Sequence, residues 1–86
     1  MTIGKTSDRI KCMIERVDAD IKENISFIHM GASRLKEISG NISNENLAAL
    51  YGNARALLDT AMNLIEDLSM RIAFAQEMEA VKENDK

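Results

Sequence analysis

The chain predicts an all-α fold in which two long helices turn back on each other as an antiparallel hairpin. Three observations carry that expectation. Proline and tryptophan are absent, glycine occurs four times, aromatics make up 3%, and Ala, Leu, Ile, Met, Glu and Lys are abundant, residues that lose little on entering a helix. Apolar side chains recur every seven residues through two long segments, as they do in helices packed along a seam. Between those segments lies the short polar run Gly40 to Asn44, GNISN, whose length imposes an immediate reversal. Eighty-six residues make one domain, of a size at which a single chain's core is often marginal and oligomerisation is a common remedy.

The first helix is expected over about residues 7–39. Thr6, Ser7 and Asp8 are each competent to cap its start, and Met1 to Lys5 is expected to fray. Ile14, Ile21, Ile28, Leu35 and Ile42 form one row, and Ile10, Val17 and Ile38 fall at the intervening position. That second row also holds Asn24 and Gly31, so the stripe widens sideways through Ile25 and Ala32. Polar residues cover the back, with Asp18/Lys22 and Arg16/Asp20 spaced to pair one turn apart.

Gly40 is the natural stop, because glycine readily takes the left-handed conformation that closes a helix. The turn is expected over 40–44, with Ser43 or Asn44 starting a second helix over about 44–82 and a loose tail over 82–86. In the second helix the stretch Leu47 to Ala75 has 19 apolar residues among 29 and only five charged ones, so it is sticky around most of its circumference. Leu47, Ala54, Ala61, Leu68 and Ala75 form one row; Leu50, Leu57, Leu64 and Met78 lie beside it, with Arg71 as a polar intruder; Tyr51, Leu58, Ile65 and Ile72 form a third. One helix cannot cover all three.

Small residues suggest how the hairpin closes. A turn at residues 42 and 43 brings Gly31, Ala32 and Ser33 against Gly52, Asn53 and Ala54, so close helix packing is expected at Gly31, Ala32, Gly52, Ala54 and Ala61, with Ala75 continuing the row. Gly52-Asn53 could also break the second helix, but the phase of Leu47, Leu50, Ala54 and Leu57 runs through without a slip, which favours a continuous helix.

Chemistry finds little support. His29 has Ile25 and Ser33 at one-turn spacing, so it lacks companion metal ligands. Cys12 is a lone thiol with no histidine beside it, which fits a reducing compartment and excludes an intramolecular disulfide. The run DADIKEN from Asp18 has Glu23 and His29 where a calcium loop needs Gly and Glu. Glu66 and Asp67 point about 100° apart on a helix, a poor geometry for acid and base acting together. No catalytic residue, cofactor, metal site or small-molecule substrate is therefore expected. The N-terminus lacks an apolar signal core and no run reaches membrane-span length, so the expected location is cytoplasmic.

The formal charge of -3 is unevenly held. Residues 1–40 carry seven basic against six acidic side chains, +1, and residues 41–86 four against eight, -4. Phosphate-backbone binding needs a basic stripe, so nucleic acid is a disfavoured partner. The expected function is a non-catalytic protein–protein interaction module, or a small regulator or inhibitor, that pairs with a second copy into a four-helix bundle and binds a larger protein. Its expected anchors are Tyr51, Leu58, Met62, Ile65, Met70, Ile72 and Phe74, since uncovered Leu, Ile and Met cost about 1.5–3 kcal/mol each. As an alternative, the hairpin architecture resembles the Rop-type RNA-binding hairpin dimers; that resemblance implies binding of structured nucleic acid, here through Arg9, Arg16, Lys22, Arg34 and Lys36. A third reading is an obligate subunit of a hetero-complex, with the acidic row Glu45, Asp59 and Glu66 acting by repulsion or mimicry.

Overall fold

A computed structural model describes residues 2–84, and the side chains of residues 6–82. Two helices, α1 (Thr2–Ile38) and α2 (Leu47–Asn84), pack against each other along their length, and no strand occurs among the described residues. The all-α hairpin is as expected. Residues facing each other run in opposite directions: Ser7 meets Met78, Asn24 meets Asp67, and Gly31 meets Leu57. The pair forms a rod of 64 × 14 × 14 Å with a radius of gyration of 19.2 Å, where a compact chain of this length would have about 12 Å. Two helices side by side enclose almost nothing. Among the described residues only Ile10, Val17 and Met78 are buried, the first two at 5% exposure.

The helix ends differ from expectation for local reasons. α1 begins at Thr2, inside the segment expected to fray and running through Gly4, and one turn further on Ser7 is held to the far helix, its Oγ donating to Met78 Sδ at 3.7 Å. At the other end Gly40 does not take a left-handed conformation. The last turn tightens instead, with Gly40 N donating to Glu37 O at 3.2 Å and Asn41 N to Ile38 O at 3.4 Å, the 3₁₀ closure that satisfies terminal carbonyls. Ile42, the last member of the heptad row, lies in the turn as expected and is exposed. α2 starts three residues later than Asn44: residues 44–46 form a turn, Asn46 O accepts from Leu50 N at 2.9 Å, and Asn46 Nδ2 donates back to Asn41 O. Asn46 thus fixes both the entry to α2 and the width of the reversal. α2 continues to Asn84; Met1 and residues 85 and 86 of the expected tail lie outside the described residues.

The larger correction concerns the phase of α2. The inward row beside Leu50, Leu57 and Leu64 consists of Asn53, Thr60, Asp67, Phe74 and Val81, all half-buried, while Leu47, Ala54, Leu68 and Ala75 are exposed. Gly31 does pack closely, but against Leu57 rather than Ala54: a Cβ at Gly31 would stand 3.1 Å from Leu57 Cδ1. At Gly31 the contact thus falls three residues further along α2 than expected, about one turn, whereas Ser7 against Met78 keeps the expected register. Of the small residues expected at the helix contact, Gly31 and, half-buried, Ala61 lie toward it, whereas Ala32, Gly52 and Ala54 are exposed and a Cβ at Gly52 would meet nothing within 4 Å.

α2 passes through Gly52-Asn53 without a break. Gly52→Ala therefore fills open space in a helix interior and should raise unfolding stability by about 0.5–1 kcal/mol, read as a shift of the urea midpoint. Gly31→Ala should gain distinctly less, since its new methyl presses on Leu57. A loss of stability from Gly52→Ala would show that the helix turns there.

Candidate partner-binding surface

The rotation of α2 leaves an apolar surface facing away from α1. Leu47, Tyr51, Ala54, Leu58, Ala61, Ile65, Leu68, Ile72 and Ala75 alternate at spacings of four and three over 29 residues, with no charged or polar side chain other than the Tyr51 hydroxyl among them. This is a heptad seam in its own right. All are exposed except Ala61, which is half-buried; Tyr51 stands at 72% and Ile65 at 65%. The seam that α2 turns toward α1 is the more polar of the two, since Asn53, Thr60, Asp67 and Arg71 lie on it.

Each of those polar side chains has a partner. Asn53 Nδ2 donates to Ala49 O at 2.9 Å and Thr60 Oγ1 to Ala56 O at 3.0 Å, so both are satisfied by their own helix. Asp67 Oδ2 accepts from Asn24 Nδ2 at 2.8 Å, and Arg71 Nε donates to Asp18 Oδ1 at 2.7 Å. Asp18 therefore pairs across the hairpin with Arg71 rather than along α1 with Lys22, and Arg71 ceases to be an intruder. Both cross-helix pairs hold polar groups that would otherwise be half-desolvated, and they fix register as well as rotation.

The seven expected anchors divide. Tyr51, Leu58, Ile65 and Ile72 lie together on the outward seam. Met62 is exposed beyond it on the far back of α2. Met70 and Phe74 lie on the opposite edge of the hairpin, where with Met13, Arg16, Val17 and Asp20 they line an open groove of about 290 Å³. Phe74 is half-buried toward α1. Ala54, expected at the contact with α1, lies on the outward seam instead, which Leu47, Leu68 and the half-buried Ala61 complete. On α1, Ile25 and Ala32 stand on the edge nearest that seam, and Ile25 is half exposed.

Other candidates stay dispersed. Arg9 and Arg16 lie on one flank of α1 with Glu23 continuing their row, whereas Lys22 and Lys36 lie on the other with His29 between them, and all five expected cations are exposed. They form no stripe. Asp59 and Glu66 share the outer side of α2, Asp59 lying 4.0 Å from Arg55, while Glu45 sits in the turn before the helix. Asp20, Glu23, Glu66 and Asp67 border a shallow groove with Asn24 and Asn63, but no group of His, Cys, Asp and Glu among the described residues is arranged to hold a metal ion. Cys12 is exposed. No described helix is long and apolar enough to cross a membrane. Comparison with known protein families, with curated proteins and with solved structures found no match to the chain.

If the Asn24–Asp67 pair holds α2 in its observed rotation, the two residues should be coupled. Asn24→Ala and Asp67→Ala should each cost about 1 kcal/mol at this half-exposed site, and the double variant should cost measurably less than the two together. Urea denaturation of the four proteins at one concentration measures this. Strict additivity would mean that the pair contributes nothing to the packing.

Proposed function

We propose that the protein is a non-catalytic interaction module whose working surface is the outward seam of α2, taken up in the cell by another helical protein surface. The observation that carries this reading is the exposure of Leu47, Tyr51, Leu58, Ile65, Leu68 and Ile72 on one side of one helix. A contiguous apolar face of this extent marks an interaction site in a soluble chain. Burying each large side chain contributes about 1.5–3 kcal/mol, so covering the seam is worth as much as the whole stability of a small domain, about 5–15 kcal/mol. The heptad spacing specifies the shape of what covers it: a helix laid lengthwise, its side chains set between those of α2.

A cytoplasmic setting fits this reading, since the exposed thiol of Cys12 is maintained where thiols stay reduced. Regulation or inhibition of a larger protein then works by occupation: the rod masks a helical surface on its target, or displaces another helix from it. The dispersion of Arg9, Arg16, Lys22, Arg34 and Lys36 among acidic neighbours supports a protein partner over a nucleic acid.

A photo-reactive side chain placed at position 58 or 65 tests the reading in the cell of origin. Both positions should yield covalent adducts to protein, while the same group at Ser33, exposed on the polar side of α1, should yield few. Absence of adducts from the seam would overturn the proposal.

A further inference from the structure

The reading of the α2 seam as a docking surface leaves its occupant to be named, and we propose that it is the same seam of a second copy, laid antiparallel, so that two hairpins close into a four-helix bundle. The inference rests on that reading and adds the partner's identity and direction.

Surface area points to a partner of this size. A folded monomer of 9.6 kDa exposes about 5,100 Å², whereas this hairpin exposes 6781 Å². The excess is roughly 1,700 Å² per chain, so two copies burying it from each other would form an interface of about 3,400 Å², inside the range of obligate homodimers. A second copy supplies an apolar seam of matching length, with no charged side chain to be stranded in the contact.

Side-chain volumes choose the direction. In a parallel pair every residue would meet itself: Tyr51 on Tyr51 and Leu58 on Leu58 in crowded layers, Ala54 on Ala54 and Ala61 on Ala61 in empty ones. An antiparallel pair sets Ala54 against the partner's Ile65 and Leu58 against the partner's Ala61, and the same register brings Tyr51 to the partner's Leu68 and Leu47 to the partner's Ile72. Large faces small through the middle of the seam, which fills space evenly, and the helix dipoles oppose favourably. Ala54, exposed on the lone hairpin, thus makes room for a second molecule and not for α1.

Measurements on the purified chain test this. Light scattering should give twice 9.6 kDa. Spin labels at Ala48→Cys or Met62→Cys, each in a Cys12→Ser background, report direction. Position 48 should lie about 35 Å from its counterpart along the bundle, at 1.5 Å per residue, and position 62 within roughly 20 Å. Short distances at both positions would mean a parallel pair and overturn the antiparallel assignment. A fully helical species of 9.6 kDa would overturn the second copy altogether. Ala54→Leu keeps the helix propensity of α2, adding at an exposed position a side chain that a lone hairpin leaves in water but that collides with the partner's Ile65. It should weaken association roughly tenfold or more while helicity at high concentration is retained; unchanged association would reject the proposed layers. Seam adducts in the cell that contain only foreign protein would reject the second copy while preserving the docking surface. No seam adduct at all would remove both.

Discussion

Two polar contacts decide how this molecule is put together: Asn24 against Asp67 and Asp18 against Arg71. α2 has three adjacent rows of apolar side chains, and hydrophobic burial alone discriminates poorly among rotations that bury one pair of rows or another. Turning the alanine row inward would bring Leu47 and Leu68 to the contact but part Asp67 from Asn24 and Arg71 from Asp18. An unsatisfied polar group costs about 1–3 kcal/mol when desolvated. The observed rotation leaves no buried polar side-chain atom unpartnered among the described residues. Asn53 and Thr60 cost little on the inner face because each returns its hydrogen bond to its own helix.

That choice has a geometric result. The helix spends its mixed face on α1 and presents its uniformly apolar face to the surroundings, the reverse of what a self-sufficient hairpin would do. Gly31 assists, since its missing side chain gives Leu57 room to sit against α1 and draws the two helices into the observed register. The long, thin outline then follows from having a single layer of two helices, with one line of contact between them. Function read from such a molecule belongs to its flanks, because there is no interior in which to build a pocket.

The fold class was readable from the sequence because composition, seven-residue recurrence and a short polar interruption all give the same answer. The phase of α2 was not readable, because parallel rows of one helix share one period and recurrence cannot say which of them faces the neighbour. The missing signal was complementarity between helices: Asp67 and Arg71 looked like blemishes on α2 until matched with Asn24 and Asp18 on α1. For the same reason Tyr51, Leu58, Ile65 and Ile72 fall together on the outward surface as expected, while Ala54 and Ala75, expected against α1, are exposed. Phe74, counted with the outward anchors on apolarity alone, belongs to the row that meets α1. The tight closure at Gly40 and the late start of α2 at Leu47 depend on backbone geometry that residue type only loosely dictates.

With Ile10, Val17 and Met78 as the only well-buried side chains among the described residues, the hairpin by itself has little to resist opening. On the proposed reading, a partner laid over α2 would also keep proteases from the backbone. Turnover and assembly would then be one equilibrium: chains in excess of their cover would be the ones degraded, and the cellular level of the protein would track the supply of surfaces that fit it.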